Sequence, residues 1–451
     1  VTDASARLVD HALGVEWSVL SPSARQAART FLHDTVCVGV AGRSAANADL
    51  IWRAAKSWGG EGGACLILGR PGETTSAPCA AFANAFQIHA QEFDCVHEPA
   101  VAHPLATVLA ALIAEAHRSG PYSGEAFLAA MVAGVDVVAT LGVAVTTPLK
   151  FFRPATAGVF GSIAALARLR RLDRTTAINA FGYGLAFASG TMQAHLEGKP
   201  TLAVQVANAA RSAVEAVDLA AAGLEGPSGS IDGPFGYLPL FEDGFDLGVL
   251  DDLGRRRRIE ELSWKPFPTG RAAHGAIVAL REMARTHGVT AANLERFVYR
   301  APPLIARLIG RRPIANMKPA YARLCFAYLG AVLLARGEVG LDSFDEATLT
   351  SPAVLALAER IVVESDGNPD PAAFTPALAT ATLNDGTRRE IAVTRQFGSP
   401  TWPLSREEHF AKSRACLAFG GMSEAYDALA PIFDRFEEVE DAAVALRPAF
   451  G

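Results

Sequence analysis

The 451-residue sequence has six cysteines and no C-x-x-C pair, which excludes a disulfide framework and a zinc ribbon. It has no basic excess either. Its 41 Lys and Arg against 47 Asp and Glu leave a formal charge of −6, which excludes gripping phosphate backbones as its main task. A long uninterrupted apolar run is also missing. The most apolar stretch, Leu105 to about Val145, is broken by Glu115, His117, Arg118, Glu125 and Asp136, so it reads as buried helices rather than a membrane span. The opening VTDASARLVDHALG shows no basic start followed by an apolar stretch, so no leader is expected. The expectation is a cytoplasmic globular protein without nucleic-acid or membrane partners. Its half-hydrophobic, one-fifth-charged composition is ample for a core. No repeat of 20–50 residues is present, which disfavours a solenoid.

The first 250 or so residues are rich in Ala and Leu and carry helix punctuation. Ser21-Pro22 opens an apolar stretch that ends in Gly, as an N-cap and first-turn proline do. Similar stretches at about 77–91, 105–118, 124–147, 157–170, 174–188 and 204–223 predict a helical bundle. The texture changes after Arg255–Arg258. Short β-rich segments at 295–300 and 360–364 precede a hairpin signal, 377–383 and 387–394 around Asn384-Asp385-Gly386, where Asp-Gly is expected to supply positive φ angles. Helices are expected at about 271–287, 320–336 and 351–360. The fold class is therefore mainly α: an all-helical domain over 1–264, completed by a helical tail at 405–451, and a smaller α+β domain over 265–404.

The densest polar cluster is HAQEFDCVHEPAVAHP, residues 89–104. It places His89, Glu92, Asp94, His97, Glu98 and His103 between two apolar helices, and such groups titrate on both sides of neutrality, as acid–base chemistry requires. Any one of them alone would read as a loop residue or cap. A metal site from Asp94, His97 and His103 matches no standard ligand spacing, and none is expected. Cys95 has no nucleophile signature around it. Lysine is scarce: by count, six of the 41 basic residues are Lys and 35 are Arg. Lys199, Lys265 and Lys318 each precede proline. Lysine is a movable point charge whose pKa responds to burial, so Lys199 and Lys265 are candidates for ligand contact or proton transfer. Lys318 stays open, and Lys56, Lys150 and Lys412 read as incidental.

The string HAQEFDCVHEPAVAHP resembles the H-A-x-D-F-D-D-T…H-P signature of the MmgE/PrpD family, which includes 2-methylcitrate dehydratase, cis-aconitate decarboxylase and iminodisuccinate epimerase. The likeness continues through RPATAGVFGSIAALARL (153–169), residues 197–226, KPFPTGRAAH (265–274) and GSPTWPLSREEHFAKSR (398–414). It implies a large helical domain with a smaller α+β lid, a homodimer, a cleft site without metal or organic cofactor, and a small di- or tricarboxylate substrate. By resemblance, His103, Lys199, Lys265 and His274 match family site residues. The family tyrosine falls on Tyr328, with Tyr321 left open by the spacing. Glu92 stands for the first Asp of D-F-D-D-T and Asp94 for the second, while Cys95 and Val96 replace the last Asp and Thr. Arg153 replaces a histidine.

The expected roles are His103 as general base or acid and Tyr328 or His274 as its partner. Lys199, Lys265, Arg153 and Arg271 would anchor carboxylates. The reaction expected first is a dehydratase-like elimination. An epimerase, isomerase or decarboxylase is the alternative, and a non-catalytic carboxylate-binding member is third.

Overall fold

A computed structural model describes residues 3–60 and 62–451; Glu61 of the glycine run 59–63 and the first two residues of the N-terminal stretch lie outside them. Ser21 Oγ accepts from Ala24 N, Pro22 fills the first turn, and the helix runs Pro22–Gly42. The bundle is built from Ala77–Ala90, Pro104–Ser119, Gly124–Val143, Gly158–Leu169, Arg174–Phe187 and Thr201–Ala221. Thr201–Ala221 lies along Ala77–Ala90, and Gly124–Val143 crosses Gly158–Leu169. That crossing is set by glycine. A Cβ on Gly161 would stand 2.7 Å from the carbonyl oxygen of Gly134, so the backbones meet only because neither residue has a side chain.

Gly124–Val143 is long and apolar enough to cross a membrane, but 89% of its most apolar window is buried inside the fold. Its Asp136 bonds to His11, Arg257 and the Arg258 amide. The tail returns to this unit: Arg406–Phe419, opened by a Ser405–Glu408 capping box, packs on Pro22–Gly42.

Two short strands, β1 (Cys65–Leu66) and β2 (Thr74–Thr75), pair beside the bundle. The second apolar cluster runs from Phe267 to Val393 and surrounds a four-stranded mixed sheet. Its strands β3 (Leu294–Ala301), β4 (Ile361–Ser365), β5 (Ala377–Leu383) and β6 (Arg388–Val393) lie in the order β4-β3-β5-β6. The β3–β4 pair is parallel and the others antiparallel. Helices His274–His287 and Phe326–Arg336 pack on this sheet.

Two local expectations need correction. In the β5–β6 turn only Gly386 takes positive φ (82°). Asp385 keeps negative φ and caps the turn through its carboxylate on Thr387 N, so this is a longer loop than the tight turn expected. The helix expected at 320–336 is broken into Pro319–Ala322 and Phe326–Arg336, because Cys325 is extended and bridges to Gly310. The break turns Arg323 toward the bundle. The two units also meet at Ser263–Trp264, where Ser263 pairs with Val96 and Trp264 N donates to Gly398 O.

Candidate active site

Helix Ala77–Ala90 ends with His89 in its last turn. The chain then reverses through Glu92, which has φ +50° and occupies the left-handed position that glycine usually fills after a helix. A non-glycine there costs about 1–2 kcal/mol, strain of the kind that accumulates at functional sites. The reversal carries Asp94 back beneath the helix end. His97 and Ala102 pair across a small turn, and His103 caps helix Pro104–Ser119.

Asp94 Oδ2 accepts from His89 Nδ1 and His103 Nδ1, both at 3.1 Å. Both Nδ1 atoms therefore carry protons, and the Nε2 of a neutral His103 is left as an acceptor. That Nε2 has no protein partner among the described residues, and His103 lines a narrow cavity of about 60 Å³. Lys265, fully buried in the segment joining the two units, sits 2.7 Å from Glu92 Oε2 and 4.0 Å from Asp94 Oδ1.

The electrostatics of the cluster are reciprocal. Burial opposes ionisation of Glu92, but Lys265 and the histidines outweigh it and hold the carboxyl at about 2. Burial likewise opposes ionisation of Asp94, and His103 and His89 overcome it, holding the carboxyl well below the usual range. Burial presses His89 down, yet Asp94 and Glu92 carry it above its ordinary value. For His103, burial and then Lys265 win over Asp94 and the pKa falls. Glu92 and Asp94 are balanced by Lys265 and protonated His89, with His103 neutral.

His89, Asp94 and His103 have donor atoms within 4.8 Å of one another, the spacing a shared metal ion needs. Asp94 Oδ2 is already occupied by two N–H donors, and a divalent ion would face the Lys265 ammonium, so the trio fits a hydrogen-bond relay better than a metal centre. His97 is elsewhere, bonded to Glu261 at 2.7 Å.

The narrow cavity is walled by Glu92, Val96, Phe152, Leu202, Leu324 and Phe374, with Arg271 and His195 as its other polar groups. Arg271 stands in the wall with its guanidinium on Glu98, Trp264 O and Phe397 O. Beyond Glu92 a wider cavity of about 460 Å³ holds Lys199 and Lys318, both exposed, and the buried Arg323.

Five expected site residues line neither cavity. Asp94 and Lys265 are fully buried behind His103 and Glu92, so Lys265 anchors Glu92 rather than a substrate carboxylate. Arg153, Tyr328 and His274 are placed farther away. The buried guanidinium of Arg153 is held by Glu242 at 3.2 Å and Ala100 O at 2.9 Å, although its neighbours Phe152 and Pro154 reach the narrow cavity. Tyr328 is buried in the α+β core with its hydroxyl on Ser343 O at 2.5 Å, because the helix break at Cys325 turns that face inward. His274 is sealed behind Arg271, which donates to its Nδ1, and burial holds its pKa far below the ordinary value. The Cys95 thiol is buried and its pKa pushed well up, which leaves it no nucleophilic character.

Other residues escaped the sequence reading. Lys412, expected to be incidental, is buried 2.8 Å from Asp34 and donates to Phe93 O, bracing the loop between Glu92 and Asp94. Arg323 clamps the same loop through Gln91 O and joins it to Pro268 O. His195 reaches the narrow cavity from a short helix that carried no motif.

The Arg153 geometry is testable. Arg153→Met strands Glu242, whose pKa burial already raises, so Glu242 takes up a proton. The expected cost is about 2 kcal/mol, below the roughly 3–5 kcal/mol of a broken buried pair because Glu242 neutralises itself, read as a shifted urea midpoint with kcat within threefold. A tenfold kinetic loss at unchanged stability would return Arg153 to the substrate.

The MmgE/PrpD N-terminal domain model matches residues 6–250 and the MmgE/PrpD C-terminal domain model residues 267–429. A cis-aconitate decarboxylase of Mus musculus is 28% identical over 399 residues, covering 84% of this chain and 80% of the relative. That of Homo sapiens is 27% identical over 397 residues, with coverage of 84% and 80%. A cis-aconitate decarboxylase-like protein of Aspergillus oryzae is 28% identical over 402 residues, 83% of each chain. With both domain models matched in order along nearly the whole chain, it belongs to the MmgE/PrpD family.

Proposed function

We propose that this chain is a lyase that decarboxylates a small unsaturated tricarboxylate of the cis-aconitate type, with His103 handling the proton at the carbon next to a carboxylate. The observation that carries the reading is the clamp of Asp94 on His103 Nδ1, which leaves Nε2 open to a mostly apolar cavity. The relatives' names support the substrate class.

The chemistry follows from that arrangement. The bond between the substrate's methylene carbon and its carboxyl carbon breaks, and its electron pair becomes the new double bond. The old double bond's pair moves to the carbon bearing a second carboxylate, and that carbon takes the proton from His103 Nε2. Apolar walls favour the loss of CO2, because charge held on one carboxylate disperses as the bond breaks. The cluster is balanced with His103 neutral, so the charge of an arriving polycarboxylate is what favours protonating it. Elimination of water with Tyr328 or His274 as the acid at the leaving hydroxyl is not supported, because both are shut away from the cavity. A closing movement of the α+β unit would seal the site and exclude water.

The test is proton NMR of the purified protein in D2O with cis-aconitate, citrate, 2-methylcitrate, malate and iminodisuccinate. Decarboxylation of cis-aconitate with deuterium in the new methylene is the expected result. An alkene from 2-methylcitrate would make the protein a hydro-lyase instead, and α-deuterium without net conversion of malate or iminodisuccinate an epimerase. Silence on every acid would overturn the reading.

The wider cavity supports a second expectation. Lys199 and Lys318 come from the two units and form an exposed cationic mouth leading to Glu92. Replacing both with Gln is expected to raise KM about tenfold at low salt with kcat within twofold. The difference should disappear near 0.5 M salt, because exposed charges steer over about a Debye length. A KM effect that survives high salt would assign the lysines direct contact with substrate.

A further inference from the structure

Position 153, where the resemblance calls for a histidine, holds an arginine committed to Glu242. Another imidazole enters the cavity from the neighbouring segment. Phe151 pairs with Thr191, and Phe152 N donates to Gly190 O at 3.2 Å, which ties the turn before Arg153 to the chain leading into helix Gln193–Glu197. His195 on that helix lines the same cavity as His103 and Arg271.

Its orientation is set from the other unit. Arg311 Nη2 donates to His195 O at 2.7 Å and lies 3.4 Å from His195 Nδ1. A guanidinium only donates, so Nδ1 is an acceptor and the imidazole proton belongs on Nε2. That Nε2 has no protein partner among the described residues, and it is not sealed in as the Nε2 atoms of His33, His89 and His274 are. Arg311 is itself stacked on Tyr321, 4.9 Å from the ring centroid, and Tyr321 donates to Arg312 O. The short helix closes on Gly198 at φ +63°, where a Cβ would stand 2.7 Å from Tyr321, so only glycine lets the two units meet here.

We propose that His195 is a second catalytic residue, a neutral imidazole whose Nε2–H donates a hydrogen bond to the carboxylate oxygen on which charge collects, with Arg311 as the positioning residue that fixes its tautomer. The proposal rests on the carboxylic-acid reading of the cavity given above. His103 and His195 are then complementary: the first moves the proton at carbon, and the second keeps its own proton and stabilises the oxyanion. Burial and the Arg311 charge push His195 down to about 4, so it stays neutral at working pH, as an electrophilic imidazole must. Because Arg311 comes from the α+β unit, the donor is set only where the two units meet.

Two measurements separate this proposal from the reading beneath it. The first is long-range proton–nitrogen NMR of the wild-type imidazoles, with His195 assigned by its loss in His195→Gln. The expected result is a neutral Nε2–H tautomer at pH 7 whose resonance shifts when the saturated acid tricarballylate is added. In Arg311→Gln the tautomer should become mixed. The second is turnover of cis-aconitate. His195→Ala is expected to lower kcat about 10²–10³-fold, the range for loss of one oxyanion donor, with KM changed less than threefold. His195→Gln, which keeps an N–H, should recover part of that loss. A Nδ1–H or charged His195, a resonance indifferent to tricarballylate, or a folded His195→Ala within threefold of wild-type kcat would overturn the proposal. Absence of wild-type turnover alongside the expected NMR result would fall on the substrate reading alone.

Discussion

Alanine at position 103 is expected to lower kcat by about 10³-fold, within the 10²–10⁴ range of a lost general acid or base, while substrate still binds. The arrangement around His103 makes this more specific than the loss of one imidazole. Asp94 holds the ring by Nδ1, so Asp94→Asn keeps an acceptor but removes the charge that opposes burial and Lys265. The His103 pKa then falls further, and an acid catalyst is lost at lower pH. In the wild type, burial and Lys265 already depress it, so kcat/KM, which reports the free enzyme, should decline as pH rises from below 6.5. Bound polycarboxylate adds negative charge and raises the same pKa, so kcat should hold to higher pH than kcat/KM does. In Asp94→Asn both limbs should move to lower pH together. His103→Ala turning over at more than a tenth of the wild-type rate would remove His103 from the mechanism, and coincident kcat and kcat/KM profiles would remove the coupling between substrate charge and its proton.

The parts of the site that were legible in the sequence are those the chain brings together locally or marks by composition. Glu92, Asp94 and His103 fall within twelve residues at a helix–loop–helix junction, and Lys265 stood out among six lysines. What stayed hidden depends on partners far along the chain. Nothing near Arg153 announces Glu242, 89 residues on, which turns an anchoring arginine into a structural one. Lys412 looked incidental because Asp34 and Phe93 are more than three hundred residues away. His195 sits on a five-residue helix without a motif, and only its cavity position and Arg311 give it meaning. The fold divides similarly. Helices with an apolar face and capped ends were readable by period, whereas the break at Cys325 was not. It joins two helix-prone apolar segments, and its cause is a tertiary bridge to Gly310. That one break takes Tyr328 inside and brings Arg323 to the loop that carries Glu92.

Lowering the pH from 6.5 to 5 is expected to cost the protein at least about 6 kcal/mol of stability, a large share of the 5–15 kcal/mol typical of folded domains. The cause is a set of histidines buried without charge. His33 and His409 face each other at 3.1 Å and are pushed down to about 3, by burial first and then by neighbouring cations and, for His33, by its partner ring. His117 and His195 are held at about 4, mainly by burial. Each is depressed in the folded state, so its stabilising contribution is complete above the unfolded value of about 6.5 and is lost as pH falls toward the folded value. The unfolded chain then binds these four protons, and those of the likewise depressed His274 and His103, which the folded chain refuses, at up to about 1.4 kcal/mol per pH unit for each. His89 works in the opposite sense, because its raised pKa favours the folded state below 6.5 and offsets part of the loss. Urea unfolding at half-unit pH steps should therefore show a steep fall below pH 6.5, earlier than carboxylates alone would give. His117→Phe isolates one contributor, since both ring nitrogens are buried without partners beside Phe450. That variant should be about 2 kcal/mol more stable than wild type at pH 5, and its pH slope shallower by one proton. A wild-type slope below one proton, or a His117→Phe slope equal to wild type, would mean these histidines are protonated in the fold and their burial is relieved by water.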